Sequence, residues 1–358
     1  MTIPYNHQTI DQSDIDAVIE VLKGDYLTCG PMIEKFEEAF AEYVGSKYAI
    51  AVSSCTAALH LSLLAAGIGP GDEVITTPIT FAATANAILY VGATPVFADI
   101  DPLTYNIDPE DIARKVTPKT RAIIPVHFAG RPCEMDRIWN IAEELDLFVI
   151  EDAAHALGAT HKGQRIGGLK KTDLTCFSFH PVKHITCGEG GMITTNSKTV
   201  AMYLKEYRNH GRNKSGYQMH IGYNYRMTDM QAALGLSQLQ KSDDFLRERI
   251  GVAKYYYFNG VCSYDLFPWN SSWHLYVIQV PDRDKVKQYL NEHEIGAQIH
   301  YKPVYLHPYY QGLGYGKGLC PIAEEFAEHC LSLPCYVRLG TEQQDYITRC
   351  LEDALNEV

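Results

Sequence analysis

The run Cys176-Phe177-Ser178-Phe179-His180-Pro181-Val182-Lys183-His184-Ile185-Thr186 holds a nucleophile in an unusual setting. Residues 174–179 are apolar and read as the end of a buried strand. Gly188, Gly190 and Gly191 follow before a second strand-like run at 192–195. Pro181 lacks a backbone donor and biases His180 toward an extended conformation, so regular structure stops ahead of Lys183. A lysine on such a turn among apolar neighbours loses solvation and its pKa falls. Its neutral amine is then a nucleophile able to form a Schiff base. Alone, the pattern also fits a solvated lysine in an ordinary turn, and other residues must decide.

Three more strand ends carry residues capable of chemistry. Ser53-Ser54-Cys55-Thr56 follows a strand at 48–52 and leads into an apolar helix at 57–64. Backbone N–H groups at that helix start can hold a phosphate, and equally Ser54 or Thr56 can simply cap the helix. Thr80-Phe81 follows a strand at 73–76. Glu151-Asp152-Ala153-Ala154-His155 follows the strongly apolar run 147–150. A carboxylate at the tip of a buried strand needs a cationic partner, whether that partner is structural or a ligand.

The elements that must position these groups alternate along the chain. Helices are expected at 13–23 and 31–44, then strand 73–76, helix 81–91, strand 95–98, helix 109–116, strand 122–126, helix 136–145 and strand 147–151. Such alternation predicts an α/β fold with a mostly parallel sheet covered by helices on both faces, and ligands beyond the carboxyl ends of its strands. Gly67-Ile68-Gly69-Pro70-Gly71 precedes a strand instead of following one, so it is a turn and not a dinucleotide fingerprint. A long helix from 228 to about 257 is expected to bridge out of the sheet. Beyond it, strands at 273–280 and 298–301 and helices at 283–292 and 341–357 indicate a smaller α+β unit. The expected division is a large α/β domain over residues 1–245, bridging helix included, and a small α+β domain over 246–358.

A net charge of −12 without any basic block argues against nucleic acid as a partner. No apolar run is long enough to span a bilayer, and the N-terminus has no secretory pattern. The ten cysteines include no Cys-x-x-Cys, as expected of free thiols in a reducing, cytoplasmic setting, and no metal site is expected. His180 and His184 flank Pro181, which rules out a His-Glu-x-x-His arrangement.

Together the four strand ends describe a pyridoxal phosphate site. That cofactor needs a lysine, an acid opposite its ring nitrogen, a phosphate cradle and a flat group against the ring. Lys183, Asp152, the Ser54-Cys55-Thr56 turn with Ser178, and Phe81 supply these in turn. The motifs Thr28-Cys29-Gly30-Pro31, 53–59, Pro125-Val126-His127, 151–158, 178–183 and Gly222-Tyr223-Asn224-Tyr225-Arg226-Met227-Thr228 resemble the DegT/DnrJ/EryC1/StrS family of sugar aminotransferases, in the expected order over nearly the whole chain.

The resemblance implies a fold type I pyridoxal phosphate-dependent aminotransferase and a homodimer with active sites at the subunit interface. It implies catalysis by Lys183 and cofactor contacts from Cys55, Thr56, Phe81, Asp152, His155, Ser178 and Asn224, the last reaching the phosphate of the other subunit. Relatives that dehydrate sugars carry histidine at the lysine position, so Lys183 implies amine transfer. Residues 151–155 and 177–191 are most similar to members acting on nucleotide-linked 4-keto-6-deoxy sugars. His155 replaces the glutamine of many members, and either tunes the cofactor or fills space. Ile299-His300-Tyr301-Lys302-Pro303-Val304-Tyr305 resembles the pseudaminic acid branch, which implies a UDP-linked 4-keto sugar with L-glutamate and 2-oxoglutarate as the other partners. Tyr5, Thr28, Arg226, Tyr301 and Lys302 are the substrate-binding candidates; Arg226 and Lys302 are cations for a diphosphate or solvated side chains. Other nucleotide-linked keto sugars are the alternative substrates, namely a UDP-4-keto-pentose, a D-xylo epimer or a dTDP-linked sugar. A non-catalytic binding protein of the same fold is the rival from another class.

Overall fold

The computed structural model describes residues 2–261 and 267–357. In chain order its strands are β1 (Tyr48–Val52), β2 (Glu73–Thr76), β3 (Thr94–Phe97), β4 (Thr120–Ile124) and β5 (Phe148–Asp152). The short hairpin β6 (Thr160–His161) and β7 (Gln164–Arg165) follows, then β8 (Leu174–Ser178), β9 (Gly191–Thr195), β10 (Tyr276–Gln279) and β11 (Cys330–Leu333). Among the described residues, seven strands form one sheet in the order β1-β9-β8-β5-β4-β2-β3. Only β9 runs against the others, so the sheet is mixed and mostly parallel.

Period-two alternation assigns each strand residue to one of two buried faces. Ile50, Val52, Val74, Ile124 and Ile150 join helices Cys55–Ala65 and Lys198–Tyr207 in one apolar cluster. Ala51, Ile75, Ile123, Val149 and Phe177 join Phe36, Phe40 and Trp139 in the other. Because both faces are covered, these strands read in sequence as continuous apolar runs. A third cluster gathers around the β10–β11 pair, with Trp273, Tyr276, Leu331, Ile347 and Leu351 at its centre. Ile3 belongs to it too, through a backbone bond from its N–H to Glu294 O at 2.8 Å, so the chain's beginning is tied to this later region.

Two expectations are corrected. The single helix expected over 228–257 is two, Asp229–Leu239 and Ser242–Phe258, broken at Gln240 and Lys241. The break is made by tertiary contacts. Lys241 Nζ reaches Asp14 at 2.7 Å and Asp11 at 2.9 Å, and Ser242 Oγ donates to Leu239 O at 2.7 Å. Neither Gly nor Pro marks it in the sequence. The strand expected at 298–301 is reduced to one bridge, Gln298 to Ser332, because the residues that follow wall a cavity. Helices Lys198–Tyr207 and Pro321–His329 and strand β11 were not expected from the sequence.

Candidate active site

The parallel strands β1, β2, β4, β5 and β8 bring their carboxyl ends to one edge of the sheet, and a cavity of about 900 Å³ opens there. Tyr5, Cys55, Thr56, Phe81, Asp152, His155, Ser178, Lys183, Tyr301 and Lys302 border it. Thr28, Asn224 and Arg226 do not. Thr28 is exposed and pairs with Thr228, Asn224 is exposed and bridges Asn209, and Arg226 Nη1 donates to Asn209 Oδ1 at 2.8 Å.

Lys183 follows β8 on a turn closed by its own N–H to His180 O at 2.9 Å. Cys187 N–H and Thr186 Oγ1 both bond to Phe179 O, at 2.9 and 3.1 Å, and anchor the far side of the turn. The amine is partly buried, and burial above all brings its pKa down to about 8. Its nearest polar neighbour is an imidazole, not the apolar surroundings the sequence suggested: Nζ lies 3.3 Å from His274 Nε2.

Asp152 ends β5 at 4% exposure. Its Oδ2 accepts from Thr84 Oγ1 at 2.7 Å and its Oδ1 from Ala154 N–H at 3.0 Å. Thr84 has one hydroxyl proton, so Thr80 Oγ1, 2.8 Å away, donates to it in turn. Burial raises the Asp152 pKa against these bonds, and among the described residues the carboxylate makes no ion pair. A buried acid on a cavity without a counter-cation suits a ligand that brings its own positive charge.

Helix Cys55–Ala65 starts at the same cavity. Ser54 Oγ accepts from Ala57 N–H at 3.1 Å, while the N–H groups of Cys55 and Thr56 have no helical acceptor. Gly191, in β9, makes room for this turn: a Cβ there would meet Ser54 C at 2.5 Å and Cys55 N at 2.7 Å. Ser178 and the exposed ring of Phe81 complete this side.

The opposite wall is aromatic and basic. His155 is 4% exposed, its ring centroid 4.3 Å from that of His274, and its Nε2 lies 3.3 Å from Tyr301 Oη. Burial holds His155 and His274 well below the usual histidine pKa and His300 at about 3, so these three imidazoles are uncharged at neutral pH. Among the described residues, His155 Nδ1 and His274 Nδ1 have no hydrogen-bond partner.

Sequence reasoning missed Thr84, Gly191, His274 and His300. Thr84 lies inside a helix and His274 is 91 positions from Lys183, so no local spacing could link either to the site. Gly191 was visible only as one of several glycines.

The site fits pyridoxal phosphate: an amine of depressed pKa, an unpaired buried acid, and a helix start that a single Cβ would crowd. With the sheet topology it defines a pyridoxal phosphate-dependent aminotransferase. The chain belongs to the DegT/DnrJ/EryC1/StrS aminotransferase family, whose sequence model matches residues 8–352. It is therefore a sugar aminotransferase. The spore coat polysaccharide biosynthesis protein SpsC of Bacillus subtilis is 41% identical over 98% of this chain and 96% of its own. The pyridoxal phosphate form of Spr1654 from Streptococcus pneumoniae superposes with a TM-score of 0.95 at 31% identity, over 100% of this chain and 99% of that one. Helicobacter pylori PseC, an aminotransferase involved in pseudaminic acid biosynthesis, superposes with a TM-score of 0.93 at 33% identity over the whole of both chains.

Proposed function

We propose that the chain transfers the amino group of L-glutamate to C4 of a UDP-linked 4-keto-6-deoxy-N-acetylhexosamine. This is the activity of UDP-4-amino-4,6-dideoxy-N-acetyl-beta-L-altrosamine transaminase in the pseudaminic acid pathway. The observation that carries this reading is the end-to-end likeness to PseC, joined to a cavity walled by His155 and Tyr301. The nine described cysteines are free thiols, which supports a cytoplasmic setting; Cys262 lies outside the described residues.

Bound pyridoxal phosphate supplies an electron sink that lets a C–H bond beside nitrogen ionise. The residues provide the rest. Asp152, its orientation fixed by Thr84 and Ala154, would hold the proton of the ring nitrogen. Cys55, Thr56 and Ser178 would hold the phosphate, and Phe81 and His155 would confine the ring. Lys183 Nζ takes the proton from the amino acid carbon in the first half-reaction. In the second it returns a proton to sugar C4, and the face it protonates sets whether the new amine is axial or equatorial. Lys302 is suited to the substrate diphosphate, with Tyr5 and Tyr301 lining the approach. In a homodimer, Asn224, Arg226 and Thr28 serve the neighbouring copy's site, which accounts for their distance from this cavity.

The test is NMR of the product formed from L-glutamate and UDP-4-keto-6-deoxy-N-acetyl sugars of either C5 configuration. Amination of the L-arabino ketone supports the proposal. Higher identity to SpsC favours a second reading, a different nucleotide-linked keto sugar destined for a polysaccharide. Preference for the D-xylo epimer, a UDP-pentose or a dTDP-sugar selects it. Borohydride reduction of the holoenzyme followed by peptide mapping is expected to find the cofactor fixed to Lys183, and Lys183→Ala and Lys183→Arg to abolish turnover. Near-normal turnover by either variant overturns the mechanism.

A further inference from the structure

Arg249, in helix Ser242–Phe258, is 1% exposed and makes no ion pair among the described residues. Its Nη1 donates to Cys335 O at 2.6 Å, His274 O at 3.3 Å and Trp273 O at 3.5 Å, and its Nε has no partner among the described residues. Buried charges are ordinarily paired, and a guanidinium cannot escape by losing its proton. Here only carbonyl dipoles answer the charge. Arg249, Lys183 and His184 border one small cavity of about 10 Å³, lined on its outer side by His7 and Gln8, with room for about a single water between the cation and the lysine. The carbonyl that Arg249 holds on His274 belongs to the residue whose imidazole lies against Lys183 Nζ.

We propose that Arg249 is a positioning residue for the reactive lysine: its uncompensated charge disfavours the ammonium form of Lys183, and its bond to His274 O keeps the imidazole seated against Nζ. The inference rests on Lys183 being the reactive amine. The groups facing that amine from each packed element are few. Cys55 and Asp152 stand on the cavity side and favour its charged form. Across from them stand the imidazoles of His274, His155 and His300, and behind it that of His184, all four held neutral by burial. Glu189 and Lys302 also border the cavity; among the groups that act on the Lys183 amine, Arg249 supplies the permanent positive charge, and it opposes Asp152. Once Asp152 is engaged with a ring nitrogen, the opposing carboxylate is neutralised and Arg249 remains.

The test reads the amine directly. Full-length protein freed of cofactor is labelled with trace acetic anhydride from about pH 6 to about 11, and acetylation of Lys183 is followed by mass spectrometry against surface lysines with pKa about 10.4. The wild-type midpoint is expected at about 8. Arg249→Gln, which drops the charge and keeps a donor, is expected to raise it by about one pH unit, while Arg249→Lys leaves it within a few tenths of wild type. If Arg249→Gln does not fold, Arg249→Met carries the same expectation. Equal midpoints for the neutral and charged variants, or a wild-type midpoint near that of the surface lysines, overturn the proposal. A merely structural arginine would lower the melting temperature in every variant and move no midpoint. Borohydride trapping on a lysine other than Lys183 would instead sink the functional reading, so the two failures are distinguishable.

Discussion

Glu151 and Asp152 are adjacent on β5, at 0% and 4% exposure, and the pleat sends them to opposite faces. Glu151 is closed in. Its Oε1 accepts from Thr172 Oγ1, which itself accepts from Trp139 Nε1 at 3.1 Å. Its Oε2 lies 2.9 Å from His127 Nε2. Since Cys133 N–H donates to His127 Nδ1 at 3.1 Å, the ring proton is on Nε2 and points at Glu151. Asp152 has a threonine and one backbone N–H, and one side of it opens on the cavity. Two carboxylates of the same strand thus differ in one respect. The protein completes the surroundings of one and leaves those of the other to be completed by a ligand. Buried polar groups are nearly always satisfied, so the incomplete one marks the function.

The sharpest way to break the comparison is to neutralise each carboxylate separately. Asp152→Asn is expected to lower turnover on the order of 10³-fold, about 4 kcal/mol of activation free energy, with the fold intact. Steady-state kinetics with both substrates measure it, and a loss of under tenfold would place Asp152 with Glu151 as structure. Glu151→Gln is expected to do the reverse. Its amide cannot accept both from Thr172 and from His127, which leaves one donor unpaired at a cost of about 1–3 kcal/mol of stability, with turnover changed only a few-fold. Thermal or denaturant unfolding alongside kinetics separates the two. Thr84→Val removes the donor that orients Asp152 while keeping its volume, and about 1 kcal/mol, or a roughly fivefold loss of turnover, is expected. Unchanged turnover in Thr84→Val would show that Ala154 N–H alone holds the carboxylate.

How much of this could be read in the sequence follows from distance along the chain. The alternating elements, the strand ends and the pairing of Lys183 with Asp152 in one site were legible, because strand periodicity and turn chemistry are local and parallel topology forces carboxyl ends to one edge. The separation of Glu151 from Asp152 was not. Both read as acids at the tip of an apolar run, and only Thr172, Trp139 and Thr84, contributed by other elements, tell them apart. His274 and Arg249 were illegible for the same reason: a buried arginine and a histidine before a strand have no local signature. The helix break at Gln240–Lys241 likewise depends on Asp11 and Asp14, more than 200 residues away.

The last and smallest test asks whether Asp152 is unpaired in the cofactor-free protein or already matched by Lys183. Their attraction would raise the lysine pKa, and burial lowers it; the value of about 8 says that burial prevails. The folded lysine pKa is then below its unfolded value of about 10.4. Between these two values the unfolded chain binds more protons than the folded one, so stability rises with pH across that window, and below about 8 the penalty for the buried ammonium is present in full. Asp152, its pKa raised by burial, acts in a separate window: its contribution to stability falls as pH climbs from about 3.8 to the raised value. Lys183→Met keeps the volume and removes the charge. The cofactor-free variant is expected to melt above wild type at about pH 7 and level with it at about pH 10.5, as differential scanning calorimetry would record. A variant that melts below wild type at about pH 7 would mean that the pair attraction outweighs the burial penalty. Asp152 would then be as complete as Glu151, and the contrast between the two carboxylates would not hold without cofactor.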